Sequence, residues 1–347
     1  MTDQMVYING KFLSQKLSGV QRYAAEICKN LDSPITLLAA ADHQDESLYH
    51  VGKPLEVSGN KAGIPWEQFR LPAALRAKGN PLLISLCNAA PVLYTNKITC
   101  LHDIAFTLYP QYFSKKLVMY YRWLIPKVLK NSRHIITVSE FSKSEISSYY
   151  HIDPANITVV PNASTFTAGG LLPAIAAQER PYFLFVGSLD PRKNLLTLLK
   201  AFRQAKRTDA DLVIVGASHA SFAANPEINT YRNDPSIKFA GYISDEELRV
   251  YYAGALALIN PSFYEGFGLP VVEALAMNCP VLASSIDAFH EVGGTDIEYF
   301  NPADVTELSN LITNFSARRL LETTIPLQQV TWKTSAEIVD KIIQQFN

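Results

Sequence analysis

The chain has 347 residues, 48% hydrophobic and 18% charged, and its 31 basic and 32 acidic residues leave a formal net charge of -1. That length exceeds one ordinary core and suits two domains, while the charge balance excludes the polyelectrolyte character expected of a nucleic-acid partner. Its four cysteines, Cys28, Cys87, Cys100 and Cys279, are too scattered for a zinc or disulfide framework and read as buried thiols.

The first segment, MTDQMVYINGKF, has no basic stretch followed by an apolar core, and no apolar run approaches the roughly 18 residues needed to cross a bilayer. A cytoplasmic location is therefore expected. After the amphipathic LSGVQRYAAEICKNL, short β-branched runs alternate with helical patterns. The runs are PLLISL, ITCLHD, HIITVSE and ITVVPN, then YFLFVGS, DLVIVGA, IKFAGYI, ALALINPS and PVLASS; KNLLTLLKAFRQAK and SDEELRVYYAGA are amphipathic. Such alternation predicts right-handed crossovers and parallel sheets covered on both faces, an α/β fold.

Between 111 and 134, QYFSKKLVMYYRWLIPKVLKNSRH carries Lys115, Lys116, Arg122, Lys127, Lys130 and Arg133 and no acidic residue. It reads either as a helical pair with a solvated basic face or as a docking surface for anionic lipid headgroups. Around 163–181 the pattern lapses into ASTFTAGGLLPAIAAQERP, where Gly169 and Gly170 mark a linker. The last segment, TWKTSAEIVDKIIQQFN, reads as a helix.

Open parallel sheets hold ligands beyond the carboxyl ends of their strands. In YFLFVGSLDPRKNLLTLLKAF, a strand is followed by a turn starting at Gly187, then Arg192 and Lys193 just before a helix that Asn194 is expected to cap. Two fixed cations beside free backbone amides suit an anion such as a diphosphate. The second glycine and the Lys-Ser/Thr pair of a nucleotide-hydrolysing phosphate loop are missing. In NPSFYEGFGLPVVEALAMNCPVLAS, a buried strand runs into a turn with Gly266 and Gly268, and Pro270 suits the first turn of the next helix. Glu265 and Glu273 then reach different parts of one elongated ligand, as carboxylates do when each binds vicinal hydroxyls of a nucleotide sugar. His102, followed by Asp103 at a strand end, is a candidate for chemistry, though lone histidines are usually structural.

The segments EGFGLPVVE, VGSLDPRKN and GYISDEELRVYYAGA, with LSGVQRYAAEI, CLHDIAFTLYP, RHIITVSEFSKSEI and ITVVPNAS before them, resemble the retaining GT-B glycosyltransferases called glycosyl transferases group 1, or family four. The resemblance covers nearly the whole chain. It implies two Rossmann-like, doubly wound parallel-sheet domains facing a cleft: an acceptor-side domain over 1–165, a linker over 166–180, and a nucleotide-sugar domain over 181–332. A helix over about 333–347 is expected to pack back on the first domain. It further implies that Glu265 contacts the transferred sugar, and that amides of Gly266, Phe267, Gly268 and Leu269 line sugar and diphosphate. Glu273 would hold the ribose hydroxyls, Arg192 and Lys193 would neutralise the diphosphate with Gly187 opening that loop, and the backbone around Tyr242 and Ile243 would face the base. His102 would project toward the reacting sugar, and Gly19 would let the first loop approach donor phosphate and acceptor. The family often has two glycines there, and here Ser18 stands before Gly19.

The implied activity is transfer of a hexose, with retention, from GDP-mannose or a UDP- or dTDP-sugar to a glycan acceptor, lipid-linked in the synthesis of O-antigen, capsule or exopolysaccharide. No cofactor and no metal are expected, since Arg192 and Lys193 with backbone amides take the place of magnesium and no Asp-x-Asp cluster is read in the chain. The basic segment 111–134 would then attach the enzyme peripherally to the inner face of the plasma membrane. Two readings stay open beside this one: a sugar-nucleotide 2-epimerase, and a non-catalytic sugar-nucleotide-binding partner of another transferase.

Overall fold

The structure is a computed structural model in which residues 5–43, 51–166, 180–216, 226–316 and 330–347 are described. Of the predicted linker, residues 167–179, Gly169 and Gly170 included, lie outside the described residues. The chain divides into two compact units, Met1–Ala163 with Val330–Asn347, and Ser164–Gln329.

Seven strands build the first unit: β1 (Val6–Asn9), β2 (Ile35–Ala39), β3 (Leu55–Val57), β4 (Leu83–Ser85), β5 (Lys97–Cys100), β6 (His134–Thr137) and β7 (Ile157–Val159). They form one sheet in the order β3-β2-β1-β4-β5-β6-β7, every pair parallel. Strand order reverses between β1 and β4, where Tyr7 faces Leu83 and Ile8 faces Ile84. Ile8, Leu83, Ile84 and Ile98 are wholly buried, because a parallel sheet is covered on both faces. The Gly19–Asn30 helix turns Tyr23, Ala24, Ile27 and Cys28 inward, the three- and four-residue spacing of an amphipathic helix. Against it packs the Trp332–Phe346 helix. Its Asp340 carboxylate accepts from the amides of Asp32 at 3.0 Å and Ser33 at 2.9 Å, and its Ser335 hydroxyl donates to the Pro161 carbonyl at 2.8 Å.

The basic segment forms a single helix, Lys115–Lys130, after a short 3₁₀ turn at Pro110–Tyr112, and not a helical pair. Val118, Leu124, Ile125, Val128 and Leu129 keep one apolar face continuous past Pro126, so packing holds the helix together where the proline removes a backbone donor.

Six strands build the second unit: β8 (Tyr182–Val186), β9 (Asp211–Val215), β10 (Ile237–Gly241), β11 (Ala257–Asn260), β12 (Val281–Ser284) and β13 (Glu298–Phe300). Their order is β10-β9-β8-β11-β12-β13, again all parallel, with the reversal between β8 and β11. The crevice beyond the carboxyl ends of β8 and β11 is thus where this topology receives a ligand.

Candidate functional site

At the end of β8, Gly187 leads into a 3₁₀ turn, Pro191–Lys193, capped by Asp190, whose Oδ1 accepts from the Arg192 amide at 3.0 Å. Asn194 follows in the left-handed region at φ 55° and makes no side-chain cap for the Leu195–Ala205 helix. Its Nδ2 donates instead to the carbonyls of Pro261 at 2.9 Å and Pro302 at 2.8 Å. The expected cap is therefore a tie between loops, because the αL backbone turns the side chain toward the segment after β11. The Phe263 amide donates to the Arg192 carbonyl at 2.9 Å and closes the same seam.

These ties bring Arg192, Lys193 and Glu265 together. Lys193 Nζ lies 2.5 Å from Glu265 Oε1, and Arg192 Nη1 lies 3.2 Å from Oε2 while donating to the Tyr264 carbonyl at 2.9 Å. Ser262 Oγ stands 2.7 Å from Glu265 Oε1 and 2.8 Å from Asn260 Oδ1, and its one proton serves either acceptor. Glu265 is only 7% exposed. Burial pushes its carboxyl up, but Lys193 and then Arg192 and Ser262 outweigh burial and hold it below the ordinary carboxylate value. Asp190 Oδ1 also lies 3.8 Å from Arg192 Nε, so two cations face two carboxylates and the cluster is balanced in charge.

Gly187 lies along the Lys193 stem, where a Cβ would sit 3.7 Å from Cδ and Cε. Gly266 and Phe267 are buried, and Gly268 holds φ 108° with Phe289 so close that a Cβ would fall 2.8 Å from its ring. Only glycine fits there. The Leu269–Ala276 helix starts directly afterwards, with Leu269 half-buried. Glu273 is buried on that helix, and its Oε2 accepts from the Tyr252 hydroxyl at 2.9 Å, on the Asp245–Gly254 helix. Beyond β10, Tyr242 is exposed and Ile243 packs against the core.

His102 and Gly19 belong to the first unit. His102 follows β5; its amide donates to Asn88 Oδ1 at 2.8 Å, and its ring stands edge-on to Tyr23 with centroids 4.8 Å apart. Nε2 lies 2.8 Å from the Leu86 carbonyl, which places the ring proton on Nε2 and leaves Nδ1 an acceptor. Burial lowers the ring's pKa, so the imidazole is neutral. Gly19 opens its helix in open space, with nothing within 4 Å of a Cβ, so packing does not demand glycine there.

Contrary to the expectation of no Asp-x-Asp, the sequence holds one in Asp209 and Asp211, a pattern that can bind a metal. It sits at the amino end of β9, away from the strand-end loops. Asp209 is paired with Arg207 at 2.7 Å, and Asp211 with Arg180 at 2.9 Å and Lys238 at 2.7 Å. Sequence reasoning missed Ser262 and Tyr252, whose hydroxyls bond the two glutamates; both lie inside segments singled out in the sequence, but no spacing marks either hydroxyl as a partner. It also missed Asn9, Lys11, Glu67 and Ser85, which meet at the reversal point of the first sheet.

The family model of Glycosyl transferases group 1 matches residues 173–323, and that of Glycosyltransferase Family 4 matches residues 17–163. The chain is similar to O-antigen chain mannosyltransferase RfbU of Salmonella typhimurium, 30% identical over 68% of this chain and 65% of that protein. It is also similar to O-antigen chain mannosyltransferase B of Escherichia coli, 30% identical over 61% of this chain and 59% of that one. The match thus spans somewhat under two thirds of either relative. HepE of Anabaena, solved with UDP and glucose, has TM-score 0.69 at 18% identity, covering 99% of this chain and 97% of its own. Sucrose-phosphate synthase of Thermosynechococcus elongatus has TM-score 0.73 at 18% identity, covering 98% of each chain. At such identity the likeness speaks for the fold, which is that of the GT-B glycosyltransferases.

Proposed function

Because this chain belongs to the glycosyl transferases group 1, with a Glycosyltransferase Family 4 first half, we propose that it moves a hexose from a nucleotide-diphosphate sugar to an acceptor hydroxyl with retention of anomeric configuration. The observation that carries this reading is the Lys193, Glu265 and Arg192 cluster at the reversal point of the second sheet. The leaving group is a nucleoside diphosphate, so the main task is stabilising charge that develops on its phosphate oxygens while the sugar becomes oxocarbenium-like. Lys193 and Arg192, fixed by Glu265, supply that charge together with the amides that open the Leu269–Ala276 helix. On this reading no metal takes part. Glu273, steadied by Tyr252, receives the ribose, and Glu265 the transferred sugar.

Mannose is the sugar favoured, since the two O-antigen relatives described above are mannosyltransferases, and GDP-mannose is the first donor to test. The acceptor proposed is a lipid-linked glycan of O-antigen or a related polysaccharide. No described helix is long and apolar enough to cross a membrane. The Lys115–Lys130 helix leaves Met119 71% and Trp123 50% exposed among Lys115, Lys116, Arg122 and Lys127, which supports peripheral contact with anionic lipid.

The test is a thermal-shift screen against GDP, UDP and dTDP, followed by NMR of the anomeric configuration formed from the matching sugar nucleotide with and without EDTA. One nucleotide at a hundred times its dissociation constant is expected to add about 2.7 kcal/mol of stability. A retained, EDTA-insensitive glycoside should follow, and vesicles containing phosphatidylglycerol should sediment the protein at low salt. No shift with any nucleotide, or an inverted product, refutes the reading.

A further inference from the structure

The first sheet has its own reversal point, and a polar cluster sits on it. β1 ends on Asn9 and β4 on Ser85, both buried. Asn9 Nδ2 donates to Glu67 Oε1 at 2.9 Å and reaches Ser85 Oγ at 3.3 Å. From the turn after β1, Lys11 Nζ lies 2.7 Å from Glu67 Oε2. The Glu67 side chain is 1% exposed and that of Lys11 18%, so Lys11 is the member of the pair whose side chain meets solvent.

Glu67 arrives there through a π-helical turn, Trp66–Arg70, in which the Leu71 amide bonds to the Trp66 carbonyl five residues back. The widened turn buries two consecutive polar residues. Beside Glu67, Gln68 donates to the Ala90 carbonyl at 3.0 Å and accepts from the Val92 amide at 2.9 Å, pinning the loop after β4. Single π turns are rare and occur often at functional sites. A buried ion pair adds little stability over apolar side chains of the same volume, so the core alone gives no reason for this one.

We propose that Lys11, set by Glu67 and Asn9, is a subsite for a neutral, hydroxyl-bearing ligand: a sugar ring of the acceptor. The inference rests on the glycosyltransferase reading for the word acceptor and on the first unit alone for the site. The position is the one that topology assigns to ligands in a doubly wound sheet. The charge decides the class. An anion would have to compete with Glu67 for Lys11, whereas a hydroxyl accepts from one of the ammonium's three donors and leaves the pair whole. Lys11 is the contacting residue; Glu67 and Asn9 are positioning residues.

The test is saturation-transfer NMR with the methyl α-glycosides of mannose, rhamnose, glucose and galactose, with the nucleotide thermal-shift screen run on the same proteins. Wild type and Lys11→Arg are expected to bind at least one glycoside, while Lys11→Met and Glu67→Gln weaken it about tenfold or more, as loss of one charged hydrogen bond does. All four proteins should keep the same nucleotide shift. The proposal is overturned if wild type binds none of the glycosides, if Lys11→Met binds them unchanged, or if Lys11→Met loses nucleotide and glycoside together, as a structural defect would. Glycoside binding lost in Lys11→Met while no protein responds to nucleotide would sustain this subsite and sink the donor reading.

Discussion

Glu265 sits between two cations, and its charge sets both their geometry and the net charge of the site. A carboxyl whose folded pKa is lowered contributes stability that is complete above the unfolded value, about 4.3, and lost as pH falls through the folded one. Glu265→Gln removes that contribution and leaves Lys193 without this carboxylate and Arg192 with Asp190, a loss of about 3 kcal/mol readable by urea titration. Nucleoside diphosphate should bind Glu265→Gln at least as tightly as wild type, since the substitution removes a negative charge beside the two cations, while turnover drops at least about tenfold. Turnover within about twofold of wild type removes Glu265 from the chemistry. Lys97 poses a different problem. It is wholly buried, and Nζ donates to the carbonyls of Tyr94 at 2.7 Å and Asn131 at 3.2 Å. Burial pushes its pKa down from 10.5 to about 8. The folded state then binds fewer protons than the unfolded chain between these values, so the Lys97 contribution rises with pH across that window, by about 3 kcal/mol in all. Buried thiols oppose it, since Cys28 and Cys279 are each pushed up to about 12 and stability is lost as their unfolded counterparts ionise. The difference in stability between wild type and Lys97→Met, measured from pH 7 to 10.5, isolates the rise. A flat difference would mean that the ammonium stays charged throughout.

The nine runs from PLLISL to PVLASS all contain strands, β4 to β12, because β-branched residues bounded by turn signals suit a sheet buried on both faces. Four strands escape that pattern. β3 (LEV) and β13 (EYF) are three-residue edge strands that each carry a glutamate, so neither shows the apolar run that reveals β4 and β7 at the same length, and β1 and β2 are short apolar runs that could equally be buried helix. The Trp66–Arg70 turn escapes for another reason: a 3.6-residue period gives adjacent residues different faces, so Glu67 and Gln68 could not both be placed inside. In the candidate site, residue types were legible where a local motif carries them, as with Arg192, Lys193 and Glu265. Pairings were not, since Lys193 and Glu265 stand 72 positions apart and meet only when β8 and β11 lie side by side. Asn194 has the residue type of a cap, yet φ decides its role, and φ cannot be read from the letter. The cluster of Asn9, Lys11, Glu67 and Ser85 comes from four separate elements, so no spacing along the chain announces it.

At the scale of the whole chain, the first unit is discontinuous: the chain leaves it at Ala163, builds the second unit, and returns at Val330. Its last helix is part of the first core. Trp332, Ala336, Val339, Ile342 and Ile343 are buried, Trp332 stands edge-on to Tyr23 with centroids 6.0 Å apart, and Arg133 donates to the Phe346 carbonyl at 2.7 Å. Four of those five side chains are large, each worth about 1.5–3 kcal/mol when buried, so their sum is comparable with the 5–15 kcal/mol that stabilises an ordinary domain. Deleting residues 330–347 is therefore expected to unfold the first unit selectively. Hydrogen exchange should show lost protection in β1, β4 and β5 and near-native protection in β8, β11 and β12. Asp340→Ala is the milder form, orphaning the Asp32 and Ser33 amides at about 1–3 kcal/mol, and should raise exchange in the first unit without unfolding it. Equal loss in both sheets would mean that the units unfold as one; unchanged exchange in β1 after deletion would mean that the last helix adds nothing to the first core.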